Sequence, residues 1–262
     1  MKAGMKTTKE NTLSSVKNAL RLLKSFSSEE PEKKITELAK SLNLGTSTVS
    51  RLMTTLASEG FVYKKNHRYR LGWSLLSLSG VVTADIEIHQ EAIPVLNNLL
   101  TKTEETSHLN ILEGLEAICI HKVESTHAVR AFTQIGNRNP LHCTSSGKVL
   151  LAFNEEKLFD KLTENGLQAY TYNTITDSVQ LREALAEIRE QGYAVSNEEI
   201  YQGVAAIAAP IRDYTGEVVA AINIIGPIQR INRHSIPNHT KNVVEAAKEI
   251  SERLGYLESF RK

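Results

Sequence analysis

The chain has 262 residues, more than one typical domain and comfortable for two. A 41% hydrophobic content suffices for real cores, and apolar runs such as Val204 to Ile211 fall far short of the roughly 18–20 residues of a membrane span. The formal charge of +1 hides an asymmetry: residues 1–72 carry fourteen Lys+Arg against six Asp+Glu, a net of +8, and the remainder carries a net of −7. A basic module tied to an acidic one predicts that only the N-terminal part meets a polyanion, chance clustering of solvated lysines being the alternative. No apolar stretch follows the first lysines, so no signal peptide is expected. Two cysteines, Cys119 and Cys143, make a poor disulfide framework and suit a reducing cytosol, so a cytoplasmic location is expected.

Val16, Ala19, Leu20, Leu23 and Phe26 recur at helical spacing and predict a first helix with one apolar face, capped by Ser14 or Ser15 and broken across Ser27 to Pro31. A second short helix is expected from Ile35 to about Ser41, with Ile35, Leu38, Ala39 and Leu42 inward, then a tight turn at Asn43-Leu44-Gly45. A third, with Thr46 as N-cap, places Val49, Leu52, Met53 and Leu56 on one face. The opposite face is Ser47, Thr48, Ser50, Arg51, Thr54 and Thr55, with no acid until Glu59. A solvated helix surface normally mixes lysine and glutamate; hydroxyls and an arginine without carboxylates fit phosphates and base edges. Helix, short turn and helix with such a face is the helix-turn-helix arrangement, whose second helix enters the major groove of double-stranded DNA. Gly60 ends that helix. Two short extended runs, Phe61-Val62-Tyr63 and Tyr69-Arg70-Leu71-Gly72, then flank a basic tip and read as a hairpin wing that touches the backbone or minor groove, with Lys64, Lys65 and Arg68 gripping phosphates.

Residues 73–84 are apolar with little charge. They read either as a linker helix packed against the same helix of a partner chain or as part of the C-terminal core. A helix from Ile88 to Thr101 uses Ile93, Leu96, Leu99 and Leu100. Strands are expected at Ser107–Leu112, Ala117–Val123, Val129–Gln134, Val204–Ile211 and Glu217–Ile225, and helices at Leu158–Leu162, Leu181–Gln191 and about Pro237 to Leu257. Consecutive strands joined by turns predict a mainly antiparallel sheet flanked by helices, an α+β domain. The expected division is a winged helix-turn-helix domain over 1–75, a linker helix over 76–90 and a sensing domain over 91–262.

Other chemistries are weak. His121, His142 and Cys143 do not make a zinc set, so no metal is expected. Cys143, beside a helix start, is a candidate for a lowered pKa, against the commoner role of small buried filler. Ser145-Ser146-Gly147-Lys148 lacks the first glycine and the final Ser/Thr of a phosphate loop. Glu198-Glu199 has no nucleophile or base spaced with it, and a capping or solvated role is expected. No catalytic residue and no cofactor are assigned.

Four segments in order resemble the isocitrate lyase regulator (IclR) family of bacterial transcription factors: the winged helix-turn-helix; Pro140-Leu141-His142-Cys143-Thr144-Ser145-Ser146-Gly147-Lys148-Val149-Leu150-Leu151-Ala152; Gly192-Tyr193-Ala194 with Glu198-Glu199 and Gly203 to Pro210; and Gly216 with Ala220 to Pro227. The resemblance covers nearly the whole chain. It implies a GAF-like effector domain, dimerisation through the DNA-binding part, in many members a dimer of dimers, and a small organic acid effector: a carboxylate, a sugar acid or an aromatic acid. By position it implies Ser145, Ser146, Gly147, Ser196, Asn197, Ala206, Asn223 and Ile225 as pocket residues. Many members have cysteine where Ala206 stands and serine where Ile225 stands, and both changes remove polar or polarizable contacts. Separately, backbone N–H groups at a helix start near Ser146-Gly147-Lys148 suit an anionic group.

Overall fold

A computed structural model describes residues 13–256, apart from 28, 85, 86, 132, 155 and 165. The chain divides into two compact units, Met1–Asp85 and Ile86–Lys262.

The first unit holds α1 (Ser14–Lys24), α2 (Ile35–Leu42), α3 (Thr46–Ser58), β1 (Val62–Lys65), β2 (Arg68–Leu71) and α4 (Ser74–Ala84). Its core is Leu22, Leu38, Ala39, Val49, Met53, Val62 and Tyr69. The inward faces expected for α2 and α3 are the observed ones. α1 differs: Leu22 is its buried residue, while Val16 and Leu20 are each 53% exposed. The apolar stripe on α1 is therefore wider than one small core can cover. The caps also differ. Leu13 and Gly45 hold the N-cap positions of α1 and α3, and neither Ser14, Ser15 nor Thr46 caps a helix. Asn43 takes the left-handed conformation (φ 53°) that turns the chain from α2 into α3.

In the second unit α5 (Glu87–Thr103) leads into β3 (Thr106–Glu113), β4 (Glu116–Val123), β5 (Arg138–Pro140), α6 (Ser145–Ala152), α7 (Glu156–Glu164), α8 (Ser178–Gln191), β6 (Ala194–Asn197), β7 (Val204–Arg212), β8 (Val218–Pro227) and α9 (Ile236–Arg253). The six strands form one antiparallel sheet in the order β5-β4-β3-β8-β7-β6. Period-two alternation sends Leu109, Ile207, Ile211, Ile222 and Ile224 to one face, where α5 and α9 cover them. The other face packs against α6, α7 and α8.

Three expectations are corrected. Residues 129–134 form no strand in their described part; β5 lies further on, and β6 was not anticipated. On α5 the fully buried positions include Ala92 and Val95, whereas Ile93 and Leu100 are only partly covered. The last helix ends at Arg253, and Leu257 lies outside the described residues. Residues 76–90 fall across the end of α4 and the start of α5. β4 carries one extra residue: Leu109 pairs with His121 and Asn110 with Cys119, so Ile120 has no partner. This bulge turns His121 and Ile120 towards α5, where His121 Nδ1 lies 3.1 Å from His89 Nε2, and Cys119 to the opposite face.

Candidate functional site

α3 is anchored by Val49 and Met53, both wholly buried, and this fixes which face is free. Ser47, Thr48, Arg51, Thr54 and Thr55 are exposed, and Ser50 is half-covered. The Thr54 and Thr55 hydroxyls donate to the carbonyls of Ser50 and Arg51 at 2.9 and 3.1 Å, so each keeps only acceptor capacity for an incoming partner. Beyond α3 the wing closes through a two-residue turn, Asn66 and His67, both at positive φ as the twist of such a hairpin demands. At its base a Cβ on Gly72 would lie 2.0 Å from the Gly60 carbonyl oxygen; only glycine allows the end of α3 and the end of β2 to meet there. Lys64 and Lys65 are exposed. Arg68 is half-covered, donates to the Glu32 carbonyl oxygen and sits 3.7 Å from the Glu37 carboxylate, so part of its charge is used within the unit.

The second site is a partly open cavity of about 60 Å³, set between the α6 start, the sheet face and the β6–β7 connection. It exists because the strands carry small residues there. Ser196 on β6 lies opposite Ala206 on β7, and Ala206 opposite Ile225 on β8. Asn223, also on β8, lies opposite His108 on β3. Ser145, Ser146, Ser196, Ala206, Asn223 and Ile225 all line the cavity. Gly147 and Asn197 do not. Gly147 faces the preceding loop, where a Cβ would come within 2.6 Å of Leu141 Cα, and Asn197 is exposed at the end of β6.

Thr144 caps α6, its hydroxyl accepting from Gly147 N–H at 3.1 Å and donating to the Pro140 carbonyl. The Ser145 and Ser146 amides, in the first turn, have no intrahelical acceptor. The Ser145 hydroxyl is buried and has no hydrogen-bond partner among the described residues. Across the cavity Asn110 Nδ2 donates to Ser146 Oγ at 3.1 Å and to Asn223 Oδ1 at 3.0 Å. His108 Nε2 lies 2.8 Å from the Thr133 hydroxyl, and burial, aided by nearby Lys122, pushes the imidazole down to about 4, so it is neutral near pH 7. Beneath α6, Lys148 Nζ donates to Glu199 Oε1 at 2.5 Å and to the Val195 carbonyl at 2.9 Å. The expectation of a solvated Glu199 is thus corrected, because it is one half of a buried ion pair. Glu198 closes its own turn, accepting from Gly203 N–H at 2.6 Å. Burial raises both cysteine thiols to about 12, so Cys143 is not activated.

Two family models match the chain: an IclR helix-turn-helix domain over residues 15–65, and a bacterial transcriptional regulator IclR C-terminal domain over residues 81–252. The chain belongs to the IclR family. It is therefore a transcriptional regulator with a helix-turn-helix DNA-binding domain and a C-terminal effector domain. This IclR-family chain is 36% identical to the HTH-type transcriptional regulator XynR of Escherichia coli over 93% of its own length and 98% of that protein. The crystal structure of the Thermotoga maritima IclR superposes with a TM-score of 0.79 at 32% identity, over 94% of this chain and all of that one. An IclR homologue from Microbacterium hydrocarbonoxydans, solved with 4-hydroxybenzoate, superposes with a TM-score of 0.83 at 25% identity, over 92% and 99% of the two chains.

Sequence reasoning about this IclR-family chain missed His108, Asn110, Thr133, Asn137, Asn139 and Tyr201 among the cavity residues. A signal existed for the first two. In Ser107-His108-Leu109-Asn110-Ile111 two large polar residues stand at i and i+2 of an apolar strand, on one face by period two. The Lys148–Glu199 pair had none, because 51 residues separate its members.

Proposed function

We propose that this IclR-family regulator binds its operator as a homodimer and that a small organic acid, held in the cavity of the second unit, changes its operator affinity. The observation that carries the reading is the cavity itself: an unpartnered buried hydroxyl at Ser145 and a fresh helix start share its wall. Helix starts favour anions, and an unpaired buried hydroxyl is costly until something bonds to it. Ser47, Thr48, Ser50, Arg51, Thr54 and Thr55 contact the operator, and Lys64, Lys65 and Arg68 grip its backbone. Ser145, Ser146, Ser196, Ala206, Asn223 and Ile225 contact the effector, whereas Gly147 and Asn197 shape the site without touching it. The domain boundaries are those drawn above, with the helix between domains relaying the effector state, and the location is the cytoplasm.

Dimerisation is supported by unpartnered apolar surface in the first unit. Trp73, Leu76, Leu78 and Val81 on and beside α4 are more than half exposed, as are Leu13, Val16 and Leu20 on and beside α1. A helix apolar on most sides is normally a buried helix, and a second copy of the same surface buries it symmetrically. Two such dimers associate further into a dimer of dimers. The effector need not be converted, because the cavity offers polar contacts without an activated nucleophile.

The test is binding of the purified protein to its own upstream DNA at two salt concentrations, with and without a panel of small organic acids. Salt-sensitive preference over random duplex that shifts with one acid is the expected result. A protein that prefers no sequence in a genomic binding selection overturns the operator reading. Sequence-specific binding that no acid shifts overturns the effector reading alone.

A further inference from the structure

We propose that the cavity takes a polyhydroxylated monocarboxylic acid, of the aldonate kind, in preference to a flat aromatic acid or a dicarboxylate. The inference rests on the reading of this cavity as the effector site and narrows it by chemistry.

Charge sets the first limit. The described residues that line the cavity include no Lys, Arg, Asp or Glu. The nearby buried charges, Lys148 and Glu199, are spent on each other, and His108 is neutral at the pH of a cell interior. One carboxylate can be met at the α6 start by the Ser145 hydroxyl and the first-turn amides. Ser145 is only 1% exposed, and its hydroxyl has no partner among the described residues. A second carboxylate would be desolvated with nothing to balance it.

The polar wall sets the second limit. Asn110 spends both of its amide protons, on Ser146 and Asn223, which leaves its Oδ1 as an acceptor. Ser146 accepts from Asn110, so its own proton is free to be donated. Asn223 accepts from Asn110 and also pairs with His108, and of its two amide protons at least one is left to give. Side by side the cavity therefore presents donor, acceptor and donor, on three residues that are each at least nine-tenths buried. A run of neighbouring hydroxyls answers that alternation, because every hydroxyl both donates and accepts. The edge of a benzene ring would cover the same groups and bond to none, leaving buried polar atoms unpaired. Val204, Ala206 and Ile225 supply the apolar wall for the C–H face of such a chain.

The full-length protein is titrated calorimetrically with D-gluconate, D-galactonate and L-arabinonate, with D-glucitol, which lacks the carboxylate, and with 4-hydroxybenzoate and succinate. At least one aldonate is expected to bind about tenfold or more tighter than the other three probes, one tenfold step corresponding to a single unpaired buried polar group. Ser145→Ala, which removes only the orphaned hydroxyl, is expected to weaken that aldonate about tenfold. Asn223→Leu is expected to erase its advantage over 4-hydroxybenzoate. Tighter binding of 4-hydroxybenzoate or succinate overturns the class and leaves the effector site standing, provided Ser145→Ala weakens it. Aldonate binding that neither variant alters places the ligand elsewhere and overturns both. Binding of none of the six overturns the proposal.

Discussion

Lys148 on α6 and Glu199 in the β6–β7 connection form an ion pair with side chains 5% and 9% exposed, so α6 is tied to the turn that carries Ile200 and Tyr201 to the cavity. Thr171 and Thr174 hold the same turn from the other side, donating to the carbonyls of Glu198 and Glu199 at 2.6 Å each. Removing one partner leaves an uncompensated buried charge. Lys148→Met is expected to cost about 3–5 kcal/mol in chemical denaturation, and Lys148→Met with Glu199→Leu to recover much of it. A double variant as unstable as the single one would mean that the pair's hydrogen bonds to backbone, rather than its charges, hold the turn.

Arg51 is the only charged group on the exposed face of α3 before Glu59. Arg51→Ala is expected to reduce specific operator affinity by about 1–3 kcal/mol, the value of one bidentate base contact. Replacing Lys64 and Lys65 together by alanine is expected to weaken binding across all sequences and to flatten the salt dependence by about two phosphate contacts. Fluorescence anisotropy on operator and random duplex separates the two behaviours. Equal losses on both duplexes for Arg51→Ala would move it to the phosphate-gripping class.

Gly147 meets the chain at Leu141, 2.6 Å from where a Cβ would sit to the Leu141 Cα and 2.7 Å to its carbonyl oxygen. Gly147→Ala is expected to lower stability by about 1–3 kcal/mol, because backbone must move to admit one methyl group. The melting temperature reads this. An unchanged value would show that the α6 start can shift, which would also loosen its aim at a ligand.

His108 sets a pH dependence with a definite sign. Its folded value lies near 4, below the ordinary 6.5, so between these values the unfolded chain binds the proton and the folded one does not. Stability is therefore complete above about pH 6.5 and falls as the pH drops towards 4, by about 3 kcal/mol for this group. His121 and His239, both lowered by burial, act in the same direction. Denaturant midpoints measured from pH 7.5 to 4.5 for the parent and His108→Asn check it. Parallel curves for the two proteins would assign the dependence to other groups.

The apolar surface of α4 bears on assembly. Leu76→Glu with Leu78→Glu is expected to shift the protein from dimer towards monomer in sedimentation, while the second unit keeps its fold. A dimer of unchanged strength would place the contact elsewhere.

The sequence made some of this legible and hid the rest for physical reasons. α3 could be read with its face because one small core sets a strict period, and Val49 and Met53 sit where that period demands. α1 was misread because apolar residues exposed on an isolated chain, Val16 and Leu20, obey the same spacing as core residues. β5 was misplaced because a three-residue edge strand, Arg138–Pro140, carries no alternation to detect. In the cavity, the positions on β7 and β8 followed from resemblance, whereas Asn110 acts through partners 36 and 113 residues away that only the folded sheet brings near.

The unpaired Ile120 makes β4 a strand whose two halves are out of phase by design: His121 belongs to the α5 side, while Ala117, four residues earlier, belongs to the α6 side. Chain length at this point therefore carries as much information as chemistry. Losing Ile120 itself would leave a regular ladder with both halves on their present faces, because Leu109 already pairs with His121 and Asn110 with Cys119. Losing a residue from Ala117–Cys119 instead would draw Ile120 into the ladder opposite Asn110, on the face it does not now occupy.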